Sequence, residues 1–418
     1  LAEPGGYIRR LVRPTFVRLA LPRQLVQDVD RVSWVVGQPV RDHALQQRAE
    51  QLLEGIAGAA VAVDPQNGRI LAMASSPPFP PNAFVSKIDT SRWESLLSHP
   101  LRPMENKATQ GEYPPGSTFK PINGLIGLQE KVIVPTTTFS CSNGYLFVGC
   151  HSHSSPLDLK GGIMNSCNSY FCQTYRRILE NPKYSSVSEA YEKWRSYLTE
   201  FGFGKKLGTE FSNELSGLVP ASSYFDRYHG KNGWKALTVI SMAIGQGEVE
   251  TTPLQMANMT AAIANRGYFY TPHIVKSIGQ EQRIDPLYRE KHIISIDSAN
   301  FEQVILGMEA AVNGGAGATA RGAAIPDIIV CGKTGTAQNP FGEDHSVFIA
   351  FAPKDNPKIA IAVYVENSGF GATYAAPVAS LMIEKYLKGD VNLSRKWLEE
   401  RMLNLNLNDS LLVVEAQH

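Results

Sequence analysis

Leu45, Ala49, Leu52 and Leu53 recur at the three-to-four-residue spacing of one helix face and Gly55 follows, so the pattern predicts an amphipathic helix over residues 44–53. The period then changes. Residues 59–63 and 69–74 are short apolar runs separated by Asp64-Pro65-Gln66-Asn67-Gly68, a cluster of turn formers, which predicts two neighbouring antiparallel strands. A second such pair lies far down the chain at 346–352 and 358–365, with Pro353, Asp355, Asn356 and Pro357 at the bend, and a helix over 374–387 follows it. The long stretch between the hairpins reads as mainly helical, for example 253–266, which carries Pro at its start and Gly267 at its end. The expectation is an α+β domain: an antiparallel sheet assembled from both ends of the chain, flanked by helices, with a large helical lobe inserted.

Composition narrows the class. The 418 residues hold 43% apolar and 19% charged positions, with 17 Phe and 16 Tyr, which is enough for a sizeable core and argues against disorder. Forty Lys and Arg against 39 Asp and Glu leave a net charge of +1, too balanced for nucleic-acid binding to be the main business. The longest apolar runs, 56–63 and 237–244, fall far short of the roughly eighteen residues of a membrane span. The chain opens on Leu1 rather than Met, so an anchor preceding it is expected to be absent from this sequence. Residues 1–42, with seven Arg and few acids, read as an appendage or linker, 43–390 as the main domain and 391–418 as a tail.

The chemistry is concentrated in three short segments. Tyr113-Pro114-Pro115-Gly116-Ser117-Thr118-Phe119-Lys120 sets a hydroxyl and an amine one helical turn apart. A serine hydroxyl needs a base, and a lysine serves only when its amine is neutral, which a second nearby cation would favour. Ser-x-x-Lys alone is common by chance. Ser166-Cys167-Asn168 would add a hydroxyl and an amide, although Ser298-Ala299-Asn300 fits the same pattern. Gly332-Lys333-Thr334-Gly335-Thr336 offers the second cation in Lys333, two hydroxyls for a carboxylate in Thr334 and Thr336, and a close backbone approach at Gly335.

These three elements, in this order between the two hairpins, resemble the active-site set of the penicillin-binding proteins and serine β-lactamases. The stretches YPPGSTFKP, AIGQGEVETTPLQMANMTAAIANRG (243–267) and GKTGTAQ followed by HSVFIAFAP are similar to class B penicillin-binding proteins of the elongation type over about residues 42–390. The resemblance implies a D,D-transpeptidase of peptidoglycan acting on the extracytoplasmic face of the inner membrane, in cell elongation and shape maintenance, with no catalytic cofactor. It implies Ser117 as nucleophile, Lys120 as base, Ser166 as proton shuttle and Asn168 and Lys333 as orienting groups. Thr334, Gly335 and Thr336 would bind substrate, with the Ser117 and Thr336 N–H groups as oxyanion hole. Partners implied are stem peptides, β-lactams and, in a full-length form, a glycosyltransferase and other membrane proteins of the elongation machinery. A β-lactamase or β-lactam sensor on the same fold, and a non-catalytic scaffold, are the alternatives. Only about 42 residues precede the transpeptidase region, so the membrane helix and pedestal usual in the family are expected to be missing or shortened here.

Four of the five cysteines, Cys141, Cys150, Cys167 and Cys172, fall within 32 residues, with His151 and His153 among them. Cys141, Cys150, His153 and Cys167 suit a closed tetrahedral zinc site that would tie a loop to the Ser166 segment. A Cys141–Cys150 disulfide and free thiols stay open as alternatives, and His151 can stand in for His153. Cys172 and Cys331 read as buried small residues. Other motifs fail: Gly332-Lys333-Thr334 lacks the glycine of a phosphate loop, where Asp327 stands, and neither Gly-x-Ser-x-Gly nor His-Glu-x-x-His occurs.

Overall fold

A computed structural model describes residues 40–79, 81–84, 88–275, 285–340 and 342–409. Helix α1 (Val40–Leu53) leads into the hairpin of β1 (Gly58–Val63) and β2 (Ile70–Ser76). The inserted lobe follows as α2 (Thr90–Leu97), α3 (Lys107–Gln110), α4 (Lys120–Gln129), the hairpin β3 (Gly144–Tyr145) and β4 (Val148–Gly149), α5 (Leu159–Met164), α6 (Asn168–Leu179), α7 (Val187–Glu200), α8 (Ser222–His229), α9 (Pro253–Ala264), β5 (Tyr268–Tyr270), β6 (Lys291–Ile293) and α10 (Ser298–Asn313). The chain then returns through β7 (Cys331–Ala337), β8 (His345–Ala352) and β9 (Ile359–Val365) before α11 (Ala375–Lys388) and α12 (Lys396–Leu403).

The expected joining of chain ends is found. Five antiparallel strands run in the order β2-β1-β9-β8-β7, with β1 against β9 from Gly58↔Val365 to Val63↔Ala360. Successive side chains of a strand point to opposite faces, and both faces are covered. Ala59, Val61 and Val63 enter the core beneath the inserted lobe, with Phe171, Trp194 and Met256. Ala60 and Ala62 enter a second core, built on Leu45, Leu52, Leu381, Met382 and Leu398 from α1, α11 and α12. Burial on both sides is why these strands read as unbroken apolar runs rather than as alternating ones. β7 forms one edge of the sheet.

Element ends follow local chemistry. α9 starts where Thr252 accepts from the Gln255 N–H and Gln255 answers to the Thr252 N–H, with Pro253 in the first turn. It ends two residues earlier than 253–266 because Arg266 (φ 61°) and Gly267 (φ 115°) leave helical space. α1 begins at Val40, before the expected 44. The expected appendage lies, up to residue 39, outside the described residues. The region read as a tail carries α12, whose Leu398 and Met402 are buried, and Leu407 N–H donates to Gly55 O at 2.7 Å. Among the described residues no helix is long and apolar enough to cross a membrane.

Candidate active site

Ser117 lies on a single 3-10 turn, Gly116–Phe119, rather than in an α-helix, and Lys120 opens α4 directly behind it. A 3-10 turn eclipses residues three apart, and the Lys120 N–H closes it by donating to Ser117 O. The turn is held tightly. Gly116 has φ 56°, its N–H donates to Gly245 O at 2.9 Å, and a Cβ on it would meet Thr336 O at 2.7 Å. Only glycine allows this approach, which sets the Lys333 strand beside Ser117.

Lys120 is fully buried, and its Nζ donates to Asn168 Oδ1 at 2.5 Å, Ser166 O at 2.6 Å and Ser166 Oγ at 3.1 Å. Burial pushes its amine down to about 8, against the opposing pull of the Cys150 and Cys167 sulfurs. Ser166 adopts φ 54°, a left-handed conformation that costs a non-glycine residue about 1 kcal/mol and is retained here beside the lysine. The rival Ser298-Ala299-Asn300 sits at the start of α10, where Asn300 Nδ2 donates to Gln129 Oε1 at 3.1 Å. Of the two matches, the one at Ser166 meets Lys120.

β7 supplies the third side. Lys333 is fully buried with Nζ donating to Thr334 O at 2.7 Å. Burial first and the Lys120 charge second hold its amine well below the usual lysine range. The sequence reading gave that cation–cation effect to Lys120; the structure puts burial first there and the repulsion on Lys333. A Cβ on Gly335 would lie 2.9 Å from Thr118 Cγ2 and 3.3 Å from Pro115 O, so the strand presses on the serine turn along Gly335 and Thr336. Sequence reasoning missed Gln246, whose Nε2 reaches Thr336 O at 3.5 Å, although its stretch AIGQGEVETTP had been singled out for resemblance alone.

The Cys/His cluster adjoins this site. The donor atoms of Cys141, Cys150, His153 and Cys167 all lie within 4.8 Å of one another, and all five cysteines are free thiols. Cys150 Sγ is 3.4 Å from His153 Nε2, and His153 Nδ1 must donate to Ser154 O at 2.7 Å, which leaves Nε2 facing the thiols. Tetrahedral Zn–S bonds of about 2.3 Å would space sulfurs about 3.8 Å apart, inside the 4.8 Å span of this group. The cluster is tied to catalysis geometry through Cys150 Sγ, which accepts from the Asn168 N–H at 3.2 Å, and through Cys167, which caps α6. His151 falls outside the group of four. Cys172 and Cys331 are buried, and burial pushes the Cys172 thiol up to about 12.

Ser117 thus stands one 3-10 turn ahead of a desolvated lysine, the arrangement that serine–lysine acyl-transfer sites use. Residues 58–384 match the family described as the penicillin binding protein transpeptidase domain, and the chain belongs to that family. It is 34% identical to the peptidoglycan D,D-transpeptidase MrdA of Acinetobacter baumannii over 391 residues, 89% of this chain and 56% of the relative. Haemophilus influenzae MrdA is 32% identical over 83% of this chain and 55% of its own length. The chain thus spans little more than half the length of these relatives. The crystal structure of Pseudomonas aeruginosa PBP2 in complex with WCK 5153 superposes with a TM-score of 0.73 at 32% identity, covering 84% of this chain and 76% of that one. The family and fold expected from the motifs are borne out.

Proposed function

We propose that the chain is a peptidoglycan D,D-transpeptidase domain of the elongation type, acting through an acyl-enzyme on Ser117. The observation that carries this reading is the meeting of three sequence-distant groups: Lys120 Nζ on Ser166 and Asn168, with β7 lying against the Gly116–Phe119 turn. Ser117 Oγ attacks the carbonyl between the two terminal D-alanines of a stem peptide while neutral Lys120 takes its proton. The tetrahedral oxyanion is received by the N–H groups of Ser117 and Thr336. The C–N bond breaks, and the departing D-alanine amine takes up a proton through Ser166. An amine of a neighbouring stem peptide then displaces the ester, and Ser117 recovers its proton. Thr334 and Thr336 hydroxyls receive the terminal carboxylate, and Lys333 orients the site. A β-lactam enters the same path and stops at the acyl-enzyme.

Cys141, Cys150, His153 and Cys167 would hold a structural zinc, which supplies a cross-link and no reacting group. The chain's own residues do the rest: Cys150 fixes the Asn168 N–H, and Asn168 fixes Lys120. In a full-length form the domain would work on the extracytoplasmic face of the inner membrane beside a glycosyltransferase; the Helicobacter pylori PBP2 of similar fold, 27% identical with a TM-score of 0.67, is solved in complex with MreC.

Intact mass spectrometry with benzylpenicillin tests the reading. One long-lived adduct, mapped to Ser117 and lost in Ser117→Ala, is expected. Rapid turnover of the adduct would instead make the chain a β-lactamase, and no adduct would make it a scaffold.

A further inference from the structure

The segment leading into the nucleophile is anchored by a side chain that the catalytic scheme does not use. Tyr113 Oη donates to Glu366 Oε1 at 2.5 Å across 253 positions of sequence. Both residues are buried, and Glu366 follows directly on Val365, the last residue of β9. Around this carboxyl stand Arg102, with Nη2 at 4.0 Å, buried Lys107 and His345. Burial, with the Glu366 charge second, keeps the Tyr113 phenol far above its ordinary range, so it remains a proton donor.

The Tyr113 ring is already held without its hydroxyl. It stacks on Tyr364 of β9 at 4.1 Å between centroids and 20° between planes, and its backbone exchanges both hydrogen bonds with Thr251, at 3.0 and 2.8 Å. Phenylalanine would keep every one of these contacts. The space is reserved as well: a Cβ on Gly111 would meet Tyr113 Cε2 at 2.3 Å and its Oη at 2.6 Å. A buried carboxyl is expensive to desolvate and is kept where a partner uses it. What the hydroxyl adds is a second, directional tie between the serine segment and the sheet. The Gly335–Thr118 contact fixes the far side of the turn against β7, and the phenol fixes its near side to the end of β9.

We propose that Tyr113 and Glu366 form a positioning latch that sets the height of the Ser117 turn over β7, and that the latch acts on the acylation step. The proposal rests on the transpeptidase reading. Loss of the hydrogen bond lets the turn rock about the Gly116–Gly245 contact, so Ser117 Oγ spends less time in line with a bound carbonyl. Substrate binding, carried by β7, is unaffected.

Stopped-flow acylation of the intact chain by a fluorescent penicillin separates reversible binding from bond formation. Tyr113→Phe and Glu366→Ala are each expected to lower the acylation rate constant about tenfold with the reversible dissociation constant within twofold of the parent. Combined, they should lose no more than either alone, because one hydrogen bond is being removed twice. Glu366→Gln keeps an acceptor for the phenol and should recover most of the rate. Melting temperature, read in parallel, should not follow the order of the rates. An unchanged rate in Tyr113→Phe, additive losses in the double variant, or losses that appear in the dissociation constant would overturn the latch. Failure of the parent chain to label at Ser117 would overturn the transpeptidase reading itself.

Discussion

Asn168 Oδ1 accepts from Lys120 Nζ at 2.5 Å, and the same side chain donates through Nδ2 to Gly149 O at 2.7 Å, so one amide spans the buried amine and the β4 strand of the Cys/His loop. An amide oxygen accepts from the lysine as a neutral dipole and so favours its charged form less than a carboxylate would. In the proposed mechanism the neutral form of Lys120, favoured by burial that brings its amine down to about 8, takes the Ser117 proton. Acylation by penicillin should therefore rise with pH and reach half its plateau near 8. Asn168→Asp would place a carboxylate in hydrogen-bond contact with the amine, favour its charged form and move the midpoint upward by about a unit. At pH 7 that is about a tenfold fall in acylation rate. A midpoint unchanged by the substitution would remove Lys120 from the role of base.

The Cys/His group gives a second expectation. Purified chain should carry about one zinc, measured by inductively coupled plasma mass spectrometry, in line with four donors within 4.8 Å. Cys150→Ser should lower the metal content toward zero and weaken the tie on the Asn168 N–H, slowing acylation about tenfold while Ser117 still labels. Thiol counting under denaturation gives an independent readout, since a Cys141–Cys150 disulfide would hide two of the five thiols.

Gly335 offers a steric test. A Cβ there meets Thr118 Cγ2 at 2.9 Å and Thr118 N at 3.2 Å, and Thr118 cannot swing aside because its Oγ1 is bonded to Pro115 O at 2.6 Å. Gly335→Ala should force β7 away from the serine turn, with a stability loss of about 1–3 kcal/mol by thermal denaturation and near-complete loss of acylation. Full acylation in a variant that melts normally would show that the strand and the turn need no close contact.

The hairpins and the start of α9 were legible because their signals are local: turn formers between apolar runs, and Pro253 at the head of the helix. The Ser117, Ser166 and Lys333 segments were legible only as a set, since each is weak alone. What stayed hidden is long-range and side-chain specific. Gln246 meets Thr336 across 90 positions and Tyr113 meets Glu366 across 253, and no periodicity encodes either pairing. The 3-10 form of Gly116–Phe119 was likewise out of reach, because it follows from Gly116 being drawn against Thr336 and Gly245 rather than from propensity.

His345 opens β8 and its Nδ1 accepts from the Asn367 N–H at 3.0 Å, so the proton of the neutral ring sits on Nε2. Protonating Nδ1 would break that bond. Burial holds the His345 pKa below its ordinary 6.5, outweighing the Glu366 and Asp344 charges that pull it up. The unfolded chain then binds more protons than the folded one as pH falls below 6.5, so this residue contributes stability that is fully present above 6.5 and is lost progressively toward its lower folded value. His292, lowered in the same direction by burial, adds to the slope. The urea midpoint should fall between pH 7.5 and about 5, and His345→Asn should flatten that dependence while leaving the share of His292. An equal slope in the variant would place the acid sensitivity elsewhere in the fold.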